Sequence, residues 1–351
     1  VAPQDLTIDD RPVHLVVRDH GGDGPPVLLL HGLGGTLLHW DAVAPLLTGA
    51  HRVVAMDLRG HGLSGDGPWE WEAVLDDVQA VIDHLGLDAP LVVGHSLGGM
   101  IAVRWALRHP DGPGIVNLDG LRSAETAPRH YADIDQDELD TLLAELKGVF
   151  DAQAEAMAQP LPEAHAAMYP RRALRTTGEG VFIRPEAALA GQIRYDPHFQ
   201  DGVAAVAGIR CPALFVLATG DLPGMPGRVG ELMAALRAGI RRDLSALTAD
   251  RPHLRVLELA ASHNMVEEQP EQIAQAVLGF HAQAARPGGE STAFGHGRPR
   301  GSRVPDSCGG ARRGRQMSDV HAVPFGGGEN TGYWPQSADV FTPPGACHAS
   351  T

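Results

Sequence analysis

The sequence of 351 residues predicts an α/β fold, a mostly parallel sheet with helices on both faces. Three observations predict it. Short apolar runs bounded by Gly, Pro and Asp recur along the chain, helix-period segments alternate with them, and one mainly helical stretch at 120–209 interrupts the alternation between two strands.

Buried strands are read at Val27–Leu30, Arg52–Met56, Leu91–Val93, Ile115–Leu118, Ala213–Leu217 and Leu254–Leu259. Leu6–Val17 supplies a candidate antiparallel edge hairpin. Between Glu70 and Leu85, Trp71, Val74, Leu75, Val78, Val81, Ile82 and Leu85 recur at steps of three and four, with Glu72, Asp76, Asp77 and Asp83 on the opposite face. That pattern predicts a surface helix lying over the sheet. In the stretch 120–209, Asp135 followed by Glu138 is a capping signal for a helix that puts Leu139, Leu142, Leu143, Leu146, Val149, Phe150 and Met157 on one side. Further short helices are expected at Glu163–Arg175 and Pro185–Arg194. The expected domains are therefore a core of 1–119 with 210–285, a helical cap of 120–209 over the carboxyl edge of the sheet, and a tail of 286–351. The cap arginines Arg171, Arg172, Arg175, Arg184 and Arg194 suit either an anionic substrate or solvated helix faces, and solvated faces are the preferred reading.

The tail has 13 Gly and 7 Pro, and no Leu or Ile, which leaves too little apolar surface to offset the entropy of ordering it. It is expected to be disordered, as a functional extension or as a read-through or frame-shifted end, and dispensable for folding.

Composition narrows the chemistry. With 28 Lys+Arg against 43 Asp+Glu the formal charge is -15, which disfavours a phosphate-tracking nucleic-acid binder or adsorption to anionic lipid. The single lysine, Lys147, follows Leu146, so no phosphate-cradling Gly-Lys-Ser/Thr loop exists. Cys211, Cys308 and Cys347 are too few and too widely spaced for a disulfide framework or a four-cysteine zinc site. No metal-ligating histidine spacing occurs either, so no cofactor or metal is expected. No apolar run approaches ~18 residues and the first ten residues do not read as a leader, so a cytoplasmic protein acting on a small molecule is expected. Oligomeric state is left open.

The chemistry-bearing motif follows the strand Leu91–Val93. In Gly94-His95-Ser96-Leu97-Gly98-Gly99, glycines at 94 and 98 permit a sharp strand-to-helix turn that exposes the Ser96 hydroxyl at a helix N-terminus. His31-Gly32-Leu33-Gly34-Gly35 follows the strand Val27–Leu30, and the amides of Leu33 and Leu97 would form a two-donor oxyanion hole. A dinucleotide-binding reading fails because Leu37 stands where a third glycine is required.

With Asp57-Leu58-Arg59-Gly60-His61-Gly62-Leu63-Ser64 after the next strand and Ser262-His263-Asn264 before an expected helix at Pro270–Phe280, the chain resembles the capped, esterase- and lipase-like serine hydrolases of the α/β-hydrolase fold over roughly residues 10–285. The resemblance implies Ser96 as nucleophile, His263 as base, and a structural role for Asp57, Arg59 and His61. It implies an aspartate as third member. Asp221, after the strand Ala213–Leu217, is preferred, although Pro223 stands where the commonest spacing would put the acid; Asp119, at the end of Ile115–Leu118, is the rival. His95 is expected to point away from the serine hydroxyl. The implied reaction is hydrolysis of a carboxylic ester or related acyl bond through an acyl-enzyme. Alternatives are a cofactor-free haloperoxidase-like, carbon–carbon hydrolase or lyase activity on the same fold, and a non-catalytic ligand-binding module.

Overall fold

A computed structural model describes residues 3–121, 131, 134–196, 202–220 and 228–284; Asp221 and the tail 286–351 lie outside them. Among the described residues ten strands form two sheets. The main one has eight strands, in the order β1 (Gln4–Ile8), β2 (Leu15–Gly21), β4 (Arg52–Met56), β3 (Pro26–Leu30), β5 (Leu91–His95), β6 (Ile115–Leu118), β9 (Ala213–Ala218) and β10 (Leu254–Leu259). The expected edge hairpin is β1–β2, antiparallel with Leu6 opposite Val17. β2 also pairs antiparallel with β4, and every later neighbour is parallel.

Each central strand feeds two cores. Leu28, Leu30, Val54 and Met56 point to one face of the sheet, and Val27, Leu29, Val53 and Ala55 to the other. This is the period of two that an extended backbone imposes, here apolar on both sides because helices cover both. The first face is closed by α2 (Trp71–Leu85) and α3 (Leu97–Arg108), the second by α1 (Ala44–Leu47), α9 (Met265–Glu268) and α10 (Pro270–Ala284). α2 ends at Gly86, whose φ of 60° is the left-handed conformation that closes a helix and that glycine adopts without a Cβ clash.

Between β6 and β9 lie α4 (Gln136–Met157), α5 (Glu163–Ala166), a hairpin of β7 (Leu174–Thr177) and β8 (Gly180–Ile183), α6 (Ala187–Arg194) and α7 (Gly202–Val206). The Asp135 carboxylate accepts the Asp137 amide at 3.0 Å, capping α4 as its position predicts. Leu139, Leu142 and Leu146 bury that helix against Val229, Leu232 and Leu236 of α8 (Val229–Thr248), an amphipathic helix between β9 and β10. The hairpin corrects the helical expectation over Glu163–Arg175. That span holds only an α-helical turn at Glu163–Ala166 and a 3-10 turn at Arg171–Ala173 before the strand begins at Leu174, because Thr176, Thr177, Val181 and Ile183 are β-branched and Gly178 and Gly180 flank the reversal.

Arginines fasten this segment to the core. Arg172 pairs with the fully buried Asp57 at 2.5 Å and also with Asp5. Arg184 donates to the carbonyls of Gly60, Gly62 and Ser64 and pairs with Asp66. Arg175 pairs with Glu186, and Arg171 faces solvent. The solvated-face reading therefore fails for Arg172 and Arg184, whose guanidiniums are desolvated against carbonyls and carboxylates. No helix among the described residues is long and apolar enough to cross a membrane.

Candidate active site

The site is built at the carboxyl ends of β3, β5, β6 and β10, where parallel strands of a doubly covered sheet open onto loops. β5 ends at His95, α3 begins at Leu97, and Ser96 turns the chain between them with φ 53° and ψ -116°. A non-glycine residue there is strained, and its neighbours make the turn possible. A Cβ on Gly94 would stand 2.0 Å from the Gly98 carbonyl oxygen, and one on Gly98 would stand 2.2 Å from that of Leu30. Both glycines are thus demanded by backbone packed on backbone.

The loop after β3 approaches the serine closely. A Cβ on Gly32 would lie 3.1 Å from the Ser96 Cβ, and Gly34 turns with φ 75°. His31 staples the loop to the turn that follows β4, its Nδ1–H donating to the Gly32 carbonyl at 2.7 Å and its Nε2 accepting the Leu58 amide at 3.0 Å. Leu33 lines the same cavity as Ser96, and Leu97 is the first residue of α3, whose amide has no partner within the helix.

His263 follows β10 on a loop held at two points. Glu268 accepts the Ser262 amide at 2.7 Å and the Ser262 hydroxyl at 2.5 Å. The His263 carbonyl accepts a hydrogen bond of 2.7 Å from Nε2–H of His95. A carbonyl only accepts, so Nε2 of His95 carries the proton and its Nδ1 is bare, buried and without a partner among the described residues. Burial, with His39 and His263 beside it, holds the His95 pKa well below the ordinary histidine value, which keeps that ring neutral. His95 therefore addresses the histidine loop and not the serine hydroxyl.

The His263 Nδ1–H donates to Oδ2 of Asp119 at 2.7 Å, while Oδ1 of the same carboxylate accepts the Ala218 amide at 3.1 Å. Burial works against the charged ring of His263, but the hydrogen bond and charge of Asp119, with the charge of Glu267, outweigh it and raise its pKa above the ordinary value. Asp119 sits on a second strained corner, φ 51°, braced by Asn117. The Asn117 amide donates to the Gly99 and Gly120 carbonyls at 2.9 and 2.7 Å and accepts the Gly120 amide at 2.8 Å.

Of the two aspartates weighed for this position, Asp119 is in contact with His263, and the preferred Asp221 lies outside the described residues. The Asp119 contact depends on its backbone turn, φ 51°, which sequence spacing does not reveal. Asp57, Arg59 and His61 stay beneath the site. Asp57 accepts the Leu37 and Leu63 amides, and Arg59 grips Asp77 at 2.6 and 2.9 Å. Sequence reasoning missed Asn117, His39, Glu267 and Glu268. The last three had only their nearness to the two motifs to mark them, and nothing marked Asn117.

Ser96 and His263 share a cavity of about 310 Å³, whose walls include Leu33, His39, His95 and, from the inserted segment, Gln153, Met157 and Arg194. Among the described residues no group of three or more His, Cys, Asp and Glu is placed to hold a metal.

A family model described as "alpha/beta hydrolase fold" matches residues 25–185. The chain is 38% identical over 113 residues to a fluoroacetate dehalogenase from a Burkholderia species, covering 30% of this chain and 36% of that one. It is 34% identical over 126 residues to epoxide hydrolase B of Mycobacterium tuberculosis, covering 31% and 35%. The chain thus spans about a third of the length of these curated relatives. Among solved structures, an E-2-(acetamidomethylene)succinate hydrolase superposes with a TM-score of 0.55 at 22% identity, covering 79% of this chain and 98% of that one. A thioesterase domain from the curacin biosynthetic pathway does so with 0.55 at 21%, covering 80% and 100%.

Proposed function

We propose that the chain is a serine hydrolase of the α/β-hydrolase fold, cleaving a carboxylic ester or related acyl bond through a Ser96–His263–Asp119 triad. The observation that carries the reading is the 2.7 Å bond between His263 and Asp119 on the wall of the cavity that holds Ser96. With Nδ1–H committed to Asp119, Nε2 of His263 is left as the atom that accepts the serine proton. Ser96 Oγ then bonds to the substrate carbonyl carbon, and the negative charge moves to the carbonyl oxygen, where the Leu33 and Leu97 amides would receive it. Collapse expels the alcohol, which takes the proton from His263 and leaves an ester on Ser96. Water, deprotonated by the same Nε2, then attacks that ester and releases acid and free serine.

The serine supports acyl chemistry over the reactions named for the two curated relatives. Attack by Ser96 on a halide-bearing or epoxide carbon would leave an ether on the enzyme, which a histidine-activated water cannot cleave; attack on a carbonyl leaves an ester, which it can. The segment from α4 to α6 acts in this reading as the cap, since Gln153, Met157 and Arg194 supply part of the cavity wall.

Fluorophosphonate labelling with peptide mapping, paired with hydrolysis of p-nitrophenyl acetate and butyrate, tests the proposal. Label on Ser96, lost together with hydrolysis in Ser96→Ala, is expected. Label on another serine, or hydrolysis that survives Ser96→Ala, overturns it, and no labelling and no hydrolysis would favour a ligand-binding module.

A further inference from the structure

We infer that His39 and Glu267 are positioning residues for the base, a clamp that holds the loop of His263 and fixes its ring on the cavity wall that it shares with Ser96. The inference rests on the hydrolase reading for what His263 does, and on the contacts around its loop for where the ring is held. Both residues line that cavity.

The clamp is a closed circuit of contacts. Nδ1–H of His39 donates to Oε1 of Glu267 at 2.8 Å, across 228 positions of chain. The His39 ring stacks on that of His95, with centroids 4.8 Å apart and planes 26° from parallel. The His95 ring in turn lies 4.8 Å from that of His263, whose carbonyl its Nε2–H holds at 2.7 Å. Glu267 closes the circuit, because it stands on α9, which begins two residues after His263. Both ends are anchored. His39 lies on a single 3-10 turn, Leu37–Trp40, edge-on to the fully buried Trp40, and α9 is seated by Met265 and Val266, which are also fully buried. His95 needs this support, since the His263 carbonyl holds its Nε2 and its Nδ1 has no partner among the described residues. The terminal torsion of a histidine is broad, so a ring on one hydrogen bond is fixed by the neighbour packed on it. Glu267 is 41% exposed, where a single ion pair or hydrogen bond contributes little to global stability, so breaking this one tests geometry without unfolding the protein.

The test breaks the bond from either end and reads kcat and KM separately with p-nitrophenyl acetate. Glu267→Leu, and His39→Phe, which keeps a ring on His95 but loses the donor, should each lower kcat by about 10-fold with KM changing less than about 2-fold, as for a base displaced by a fraction of an ångström. The double variant should lose no more than either single one, since both remove the same bond. Glu267→Gln keeps an oxygen that accepts from His39 and should recover most of kcat. It also separates the clamp from the charge of Glu267, which favours the protonated ring of His263. If Glu267→Gln is as damaging as Glu267→Leu, the charge alone is at work and the clamp is refuted. A second measurement does not depend on turnover. In proton NMR the His263 Nδ1–H held by Asp119, assigned by its loss in His263→Gln, should broaden through exchange with water in Glu267→Leu and His39→Phe and sharpen again in Glu267→Gln. If that pattern is seen while no ester is hydrolysed, the clamp stands and only the hydrolase reading fails. An unchanged kcat with an unchanged signal overturns the inference, and so does a rise in KM with kcat intact, which would make His39 a substrate contact. If His39→Phe does not fold, the two Glu267 variants decide on their own.

Discussion

Ser96 and Asp119 stand at the ends of neighbouring parallel strands, and both turn the chain through positive φ, 53° and 51°. The two corners are packed on one another. The Ser96 amide donates to the Leu118 carbonyl at 2.9 Å, and a Cβ on Gly120 would lie 2.1 Å from the Ser96 carbonyl oxygen. Strain at one corner is thus supported by the other, which fixes where the serine hydroxyl and the carboxylate lie relative to the loop of His263.

Asp119→Asn is expected to lower kcat by up to about 10⁴-fold, the loss seen in another serine hydrolase when the histidine is left in the wrong tautomer. Asp221→Asn is expected to change it little. The pH profile carries a second signature. His263 must be neutral to accept a proton, so activity rises with pH, and its raised pKa places the midpoint above the ordinary histidine value of 6.5. Asp119→Asn removes the larger of the two influences that raise it, leaving only the charge of Glu267, so the midpoint should move down. A collapse in Asp221→Asn alone, with folding verified by circular dichroism, would refute this assignment.

His95 is expected to act as a positioning residue, because its bond to the His263 carbonyl fixes the height of the histidine loop. His95→Phe keeps a ring between His39 and His263 but removes that donor. A fall in kcat of about 10²-fold, with KM changing much less, is the expected result of misplacing the base by a fraction of an ångström. If KM rises and kcat holds, the ring serves substrate binding instead.

Much of this architecture is legible in the sequence. Five of the six strands expected to be buried are so, as their apolar runs indicate, whereas β10, which carries Arg255 and Glu258, is an edge strand buried only at Leu254 and Leu259; Ser96 was readable from the glycines around it, which backbone contacts demand. The β7–β8 hairpin was not, since a helical reading of Glu163–Arg175 ignored the β-branched run that follows. The contact of Asp119 with His263 was undecidable from spacing. An aspartate after a buried strand is common, and what distinguishes this one is a backbone turn braced by Asn117 on a different part of the strand end. Arg172 looked like a surface cation because its partner, Asp57, lies 115 positions away.

Gly98→Ala should unfold or strongly destabilise the protein, because the new methyl carbon would meet the Leu30 and His31 carbonyl oxygens at 2.2 and 2.8 Å, backbone atoms of the central strand and its loop. Gly148→Ala, where nothing lies within 4 Å, is the control and should match or slightly exceed wild type, since alanine favours a helix interior by roughly 1 kcal/mol. Urea midpoints of the two variants decide it, and equal midpoints would mean that the elbow tolerates a side chain.

Stability should fall as the pH drops below 6.5, before most carboxylates titrate. His31 and His61 are fully buried beneath the site, and burial first of all depresses each to about 3. Between that value and 6.5 the unfolded chain binds protons at both positions and the folded chain does not, so each group removes up to about 1.4 kcal/mol of stability per pH unit of acidification. His95 adds a contribution of the same sign. The raised His263 acts oppositely: its contribution is fully present below 6.5 and is lost as the pH climbs through its folded pKa, so it does not offset the slope on the acid side. His61→Asn isolates one of these groups, since asparagine can still donate to the Arg59 carbonyl that Nδ1–H of His61 reaches at 3.0 Å. Urea unfolding at pH 6.5, 5.5 and 4.5 should show a shallower loss in His61→Asn, by close to one proton; a slope equal to that of the wild type would mean that His61 is protonated in the folded protein.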